Sequence, residues 1–247
     1  MTQRVDSIFV AVGRNAAKHV FLGQGHEIKM KSSTNVIHSI NELCAHIDAK
    51  LHGNDLLVVG VCGMAGSGKS TLCKQMVQDA HFDAVRLDCD QFSSHSLSER
   101  RALIAEATRS GDHQQIEFIE NPLNWYAYAD IISALSDLRS NRAHTYNRAW
   151  NRETGELNGL YHLRAPIDRP AVVLCDCIYL LHPVIRNEMD LVILVETAED
   201  IVTERGLKRS KGDVSRATYM ETLRRKYSVP YFATFGAEAD IIYKGDT

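Results

Sequence analysis

After about residue 50 the chain is punctuated by short runs of consecutive apolar residues: Leu56–Cys62, 84–87, 171–175 and Leu191–Val195. A last, more polar run follows at Ala239-Asp240-Ile241-Ile242-Tyr243. Runs of that length without alternation predict strands buried on both faces, as in a parallel sheet. Between them the apolar period lengthens to that of helices. Val36, Ile37, Ile40, Leu43, Cys44, Ile47 and Leu51 share one stripe that ends at Gly53, and Thr71 through Val77 keep helical spacing. Residues 96–107 predict a helix opened by Ser98 and closed near Gly111. A turn at Asn121-Pro122-Leu123-Asn124-Trp125 then leads into another, over 126–138, with Ala129, Ile131, Ile132, Leu135 and Leu138 inward. Thr197-Ala198-Glu199-Asp200 reads as a capping box opening a further helix, and Pro230 stops the one after it. This alternation predicts an α/β fold with a doubly wound parallel sheet flanked by helices.

Two segments break the pattern. Residues 1–34 read as short β segments, 7–12 and 19–22, broken at Gly13, Gly23 and Gly25, and are expected to form a small β/α extension of unassigned role ahead of a domain over 35–247. Residues 141–168 are polar and aromatic. They read either as an irregular functional loop or as a surface hairpin turning at Thr154-Gly155.

The first strand runs into Gly63-Met64-Ala65-Gly66-Ser67-Gly68-Lys69-Ser70, which satisfies the P-loop pattern G-x-x-x-x-G-K-[ST] in the strand, loop, helix context it requires. A P-loop NTPase fold is therefore expected. Gly63, Ala65, Gly66, Ser67, Gly68, Lys69, Ser70 and Thr71 are the candidate phosphate-binding residues, with Lys69 on the outer phosphates and Ser70 on Mg²⁺. Asp88 and Asp90 follow the run at 84–87, and Asp176 ends the run at 171–175. Ligands collect at the carboxyl ends of strands in such sheets, so all three are chemical candidates, although Asp88 and Asp90 also suit a capping role. No acidic residue follows Asp176, which favours transfer to an acceptor over hydrolysis. Arg205, Lys208, Arg209, Lys211, Arg216, Arg224, Arg225 and Lys226 form a basic run, mostly a solvated face, from which Arg205 and Arg209 are the first choices to close over a transferring phosphate. Tyr146, Arg148, Trp150 and Arg152 are candidates to contact an acceptor.

Composition narrows this picture without redirecting it. A chain of 247 residues with 45% hydrophobic and 24% charged residues is an ordinary globular protein, and a formal net charge of -3 argues against nucleic acid as its partner. The six cysteines lack metal-finger spacing and read as free thiols, with Cys175 and Cys177 expected to diverge from their strand. No signal-peptide core or membrane-length apolar run is found, so a cytoplasmic protein without membrane contact is expected, with self-association left open. Asp-x-x-Gly and Asn-Lys-x-Asp elements are absent, which weakens a GTPase reading.

From the P-loop onward the chain resembles the uridine kinase and phosphoribulokinase group of P-loop kinases, which includes bacterial pantothenate kinase. Asp90-Gln91-Phe92 is similar to that group's Asp-x-Phe, which implies that Asp90 is the base for the acceptor hydroxyl. Asp176-Cys177-Ile178 resembles its Glu-Gly-Ile and implies a metal-side carboxylate at Asp176; the helix from Arg205 resembles its lid. The acceptor side departs from the pattern. Where nucleoside kinases of the group carry His-Pro-Asp before an aromatic residue, this chain has Pro122-Leu123-Asn124-Trp125. The resemblance implies an ATP- and Mg²⁺-dependent kinase acting on a small-molecule hydroxyl, with Asp88, Asn124 and Trp125 added to the acceptor-side candidates. A nucleoside such as uridine is the leading acceptor, beside a pantothenate-like or sugar-like compound. A nucleotide-binding regulatory protein without transfer activity is the rival reading.

Overall fold

The computed structural model describes residues 35–245. The segments expected to be strands at 7–12 and 19–22 lie outside the described residues. Six parallel strands form the main sheet: β1 (Asn35–Ile37), β2 (Leu56–Cys62), β3 (Asp83–Asp88), β6 (Ala171–Asp176), β7 (Leu191–Val195) and β8 (Ile241–Tyr243), in the order β1-β8-β7-β2-β6-β3. Two further strands, β4 (Ala143–Ala149) and β5 (Gly159–Arg164), pair antiparallel as a separate hairpin. The hairpin alternative for residues 141–168 is thus the one the chain adopts.

Both faces of the sheet are covered. Leu57, Val59, Val61, Val172, Leu174 and Ile193 pack against α1 (Ile40–Leu51) and α2 (Lys69–Asp79). Val58, Leu87, Val173, Cys175 and Val192 face the other way, onto α5 (Tyr128–Asn141), the hairpin and α9 (Val229–Phe235). Burial on both faces is why these strands read as continuous apolar runs. The connections are completed by α3 (Leu97–Ser110), α4 (His113–Glu120), α6 (Pro183–Arg186), α7 (Glu199–Arg209) and α8 (Val214–Leu223). Among the described residues no helix is long and apolar enough to cross a membrane.

Several local expectations change. Val36 and Ile37 belong to an edge strand paired with Ile242 and Tyr243, so α1 begins three residues beyond Ile37. β-branched residues at a helix boundary have that alternative, and the sheet edge takes it. Ser96, not Ser98, caps α3, through a capping box with Glu99. The box expected at Thr197 does not form, because its hydroxyl donates to the Ser67 carbonyl at 2.8 Å and Ala198 is the cap residue. Pro230 stops nothing: it lies in the first turn of α9, where its missing N–H costs no bond. Cys175 and Cys177, two residues apart, face the same core, with Cys89 Sγ 3.4 Å from Cys175 Sγ. All six cysteines are free.

Leu135 of α5 is fully buried against the sheet face that carries Cys175. Leu135→Ala is expected to lower unfolding stability by about 2–5 kcal/mol, read as a lower denaturation midpoint in urea.

Candidate active site

The loop after β2 turns the chain from the sheet into α2. Gly63 holds φ at +144°, and a Cβ there would stand 2.5 Å from the Val195 carbonyl oxygen, so the turn admits only glycine unless β7 moves. Gly68, left-handed at φ +99°, is the N-cap of α2 and supplies no side-chain cap. The helix start therefore keeps its amides open. Among the described residues none accepts from the N–H of Gly68, Lys69 or Ser70. These donors and the positive end of the helix dipole form a cradle for anionic oxygens. Lys69 is buried within the loop and donates from Nζ to the Met64 carbonyl at 3.0 Å. Burial holds its pKa below the ordinary lysine value, while Asp176 and Asp90 act in the opposite direction.

Parallel pairing brings the carboxylates to the same edge. Asp176 is the register partner of Asp88 on one side and of Val61, just before the loop, on the other. Arg86 lies two residues before Asp88 and so on the same face of β3. Its Nε and Nη2 donate to Asp176 Oδ2 at 2.9 and 2.6 Å, and Nη2 lies 3.2 Å from Asp88 Oδ2. Asp88 has further commitments: Oδ1 accepts from the Asp90 amide at 3.1 Å, and Oδ2 accepts from Arg152 Nη2 at 3.0 Å.

Asp90 is the least engaged of the three, with a long 3.5 Å contact from the Tyr126 hydroxyl. Its atoms reach solvent, yet it sits in a cleft whose walls desolvate the carboxylate. That desolvation, and then the charges of Asp88 and Asp176, hold its pKa above the ordinary aspartate value against Lys69 and Arg152.

The cleft at Asp90 encloses about 560 Å³ and is lined by Arg100, Trp125, Tyr126, Trp150 and Arg152 among others. Backbone bonds fix its walls, from Trp150 N to the Gln91 carbonyl at 3.0 Å and from Ala127 N to the Phe92 carbonyl at 2.8 Å. Trp125, Trp150 and Arg152 are thus brought together. Asp88, engaged by Arg86, Arg152 and the Asp90 amide, does not line the cleft, and three other expected acceptor contacts are also turned away. Asn124 turns its side-chain amide to the Phe118 carbonyl at 2.9 Å. Tyr146 is buried against Phe92, with ring centroids 4.5 Å apart, and donates to Asp130 at 2.8 Å. Arg148 is exposed on β4, outside the cleft. Asn124 and Tyr146 satisfy their polar atoms inside the frame, which is what holds them away.

Of the two lid candidates, Arg205 reaches the P-loop, donating from Nη1 to the Gly66 carbonyl at 3.1 Å, whereas Arg209 is exposed in the last turn of α7. Arg224 is the buried member of the basic run. It is held by Glu199 at 2.8 Å and Glu221 at 2.7 Å, and its Nη1 lies 3.7 Å from Met64 Sδ in the loop. Sequence reasoning missed the parts played by Arg86, Arg100 and Arg224. Only Arg86 carries a local signal, a charge inside an apolar strand two residues ahead of a candidate carboxylate. A second and wider cleft of about 1200 Å³ opens beside the P-loop, lined by Ser67, Glu196, Thr197, Val202 and Phe232 among others.

Residues 58–229 match the Phosphoribulokinase / Uridine kinase family. A curated relative, Uridine-cytidine kinase A of Dictyostelium discoideum, is 23% identical over 182 residues, which cover 73% of this chain and 33% of the relative. The aligned part thus spans about a third of that protein's length. A possible uridine kinase from Bacillus stearothermophilus superposes with a TM-score of 0.57 at 18% identity, over 83% of this chain and 97% of the other. D-glycerate 3-kinase from Cryptococcus neoformans var. grubii does so with a TM-score of 0.54 at 13% identity, over 83% and 93%. At such identities the structural likeness carries the fold. The family match extends from β2 into α9, through the P-loop, all three carboxylates and the basic run, and this chain belongs to the phosphoribulokinase and uridine kinase family of P-loop kinases.

Proposed function

We propose that this protein transfers the γ-phosphate of ATP to a hydroxyl group of a small molecule seated in the cleft at Asp90. The observation that carries the reading is the meeting, at one sheet edge, of an open phosphate cradle with a carboxylate that has almost no internal partner. The cleft beside Ser67 and Thr197 offers room for the base and sugar of the donor nucleotide. The P-loop amides and Lys69 bind the phosphates, Arg205 offsets charge that develops on the transferring group, and Asp90 takes the proton of the acceptor hydroxyl.

Among the described residues no cluster of three His, Cys, Asp or Glu side chains stands ready to hold a metal. Mg²⁺ keeps several waters and is held by one or two protein oxygens plus phosphates. Ser70 and Asp176 are the residues that would hold it. Both Arg86 bonds fall on Asp176 Oδ2, so Oδ1 accepts nothing from a described residue. When bound, the metal neutralises phosphate charge and fixes the geometry of transfer.

The division of the chain into Met1–Ser32 and Ser33–Thr247 supports placing the kinase domain in residues 35–247. Six free thiols suit a reducing compartment such as the cytoplasm.

Asp90→Asn is expected to reduce acceptor phosphorylation by about 100- to 10,000-fold while the affinity for a non-hydrolysable ATP analogue stays within twofold. Turnover close to wild type in that variant would remove Asp90 as the base. Tight ATP binding by the wild type without phosphorylation of any acceptor would favour the regulatory reading.

The raised pKa of Asp90 sets the acid limb of the pH profile. The base works ionised, so kcat/KM falls as pH drops through that pKa, at a pH above the ordinary carboxylate range of about 4. Asp88→Asn removes one of the charges that raise it, and the limb should move to lower pH in a kcat/KM titration. A limb that stays in place would show that Asp90 does not set it.

A further inference from the structure

The cleft at Asp90 is richer in positive charge than the transfer reaction requires. Arg100 of α3, Arg152 from the hairpin loop and Arg216 of α8 all line it, against the carboxylates of Asp90 and Glu153. Arg152 is already matched by Asp88 at 3.0 Å. Among the described residues, Arg100 and Arg216 form no ion pair with an acid. The Arg100 guanidinium lies 4.3 Å from the centroid of the Trp125 ring, and its polar partners are neutral oxygens, Ser93 Oγ at 3.3 Å and the His95 carbonyl at 3.5 Å. Burial holds the Arg100 pKa below its ordinary value, with no carboxylate among the causes to offset it. Arg216 makes no ion pair among the described residues; its backbone amide caps on Asp213 and its side chain turns to the cleft.

The half-buried guanidinium of Arg100 without an anion is costly, and Arg216 adds a second cation at the mouth of the same cleft. A neutral acceptor would leave that cost standing. We propose that the acceptor is an alcohol carrying an anionic group, a phosphate monoester or a carboxylate, gripped by Arg100 and Arg216 while its hydroxyl faces Asp90. Guanidinium forks are suited to bidentate contact with either group, and the Trp125 ring holds that of Arg100 in place. The inference rests on the transferase reading for the role of Asp90, but the charge recognition itself is a matter of binding.

The two tryptophans of the chain, Trp125 and Trp150, both line this cleft, so their fluorescence reports its occupation. The full-length protein is saturated with Mg²⁺ and a non-hydrolysable ATP analogue, which keeps anions out of the P-loop, and titrated separately with ribose 5-phosphate, D-glycerate and uridine. Saturable quenching by one of the anions is expected, and which one answers identifies the group. Arg100→Met should weaken that binding about 10- to 100-fold, and Arg216→Met about 3- to 10-fold, with affinity for the ATP analogue unchanged as the check on folding. Uridine binding more tightly than both anions, neither anion binding saturably, or anion affinity within twofold of wild type in both variants would overturn the proposal. A parallel turnover assay with ATP separates the two readings. Anion binding without phosphorylation would sink the kinase assignment and leave the charge recognition intact, whereas uridine turnover without anion binding would do the reverse.

Discussion

The guanidinium of Arg86 makes the carboxyl edge of this sheet tenable. Asp88 and Asp176 are register partners on adjacent strands, about 5 Å apart as parallel neighbours, and Asp90 stands two residues further on. Carboxylates that close repel, and the Asp90 pKa, raised first by desolvation, is raised further by the charges of Asp88 and Asp176. Arg86 bridges Asp88 and Asp176 from their own face of the sheet, setting one guanidinium between the two carboxylates. Asp88, held in this way, fixes the peptide of Asp90 and is tied to Arg152 of the hairpin loop. One cation thus links Asp176, Asp88 and, through Asp88, the hairpin loop.

The same strand segment also carries the hairpin. β3 is an edge strand, and an exposed edge leaves backbone groups to be satisfied. Tyr161 of β5 meets two of them, accepting from the Asp88 amide at 2.9 Å and donating to the Arg86 carbonyl at 3.0 Å. Phe92, four residues past Asp88, stacks on Tyr146 and meets Tyr161 edge-on. These aromatic contacts explain why the stretch 141–168 looks like a ligand loop in composition and acts as scaffold in structure. Its remainder, Trp150 to Gly155 with Arg152, Glu153 and Thr154 exposed, walls the cleft.

The sheet was legible because β2, β6 and β7 are buried on both faces, and that leaves an unbroken apolar run in the sequence. The P-loop was legible because its demands are local: a strand end, glycines at strained turns and a helix start within one octapeptide. The three-residue strand β1 was not, since Val36 and Ile37 fit a helical stripe equally well and only β8, some 200 residues away, selects the strand. The acceptor contacts failed for a related reason. Asn124 and Tyr146 have the polarity of ligand residues, and nothing nearby in the chain announces that Phe118 and Asp130 will engage them. Arg100, the cation of greatest consequence in the cleft, reads as one more charge on an amphipathic helix until Trp125 comes under it.

This difference between the two halves has a physical root. The P-loop half presents backbone amides, so its constraints fall on φ angles and close approaches: a Cβ at Gly63 would collide with the Val195 carbonyl oxygen. The proposed acceptor half is built from side chains on α3, α8, the turn after β3 and the hairpin loop, so its character depends on which side chains these segments present. Exchanging a charge there changes what is recognised at little cost to the fold, because cleft residues such as Arg152 and Arg216 are largely solvated. Exchanging Gly63 would cost the fold and the cradle together. A single framework can therefore keep one phosphate donor and change its acceptor, and in this chain the arginines on that replaceable surface say more about the acceptor than the P-loop can.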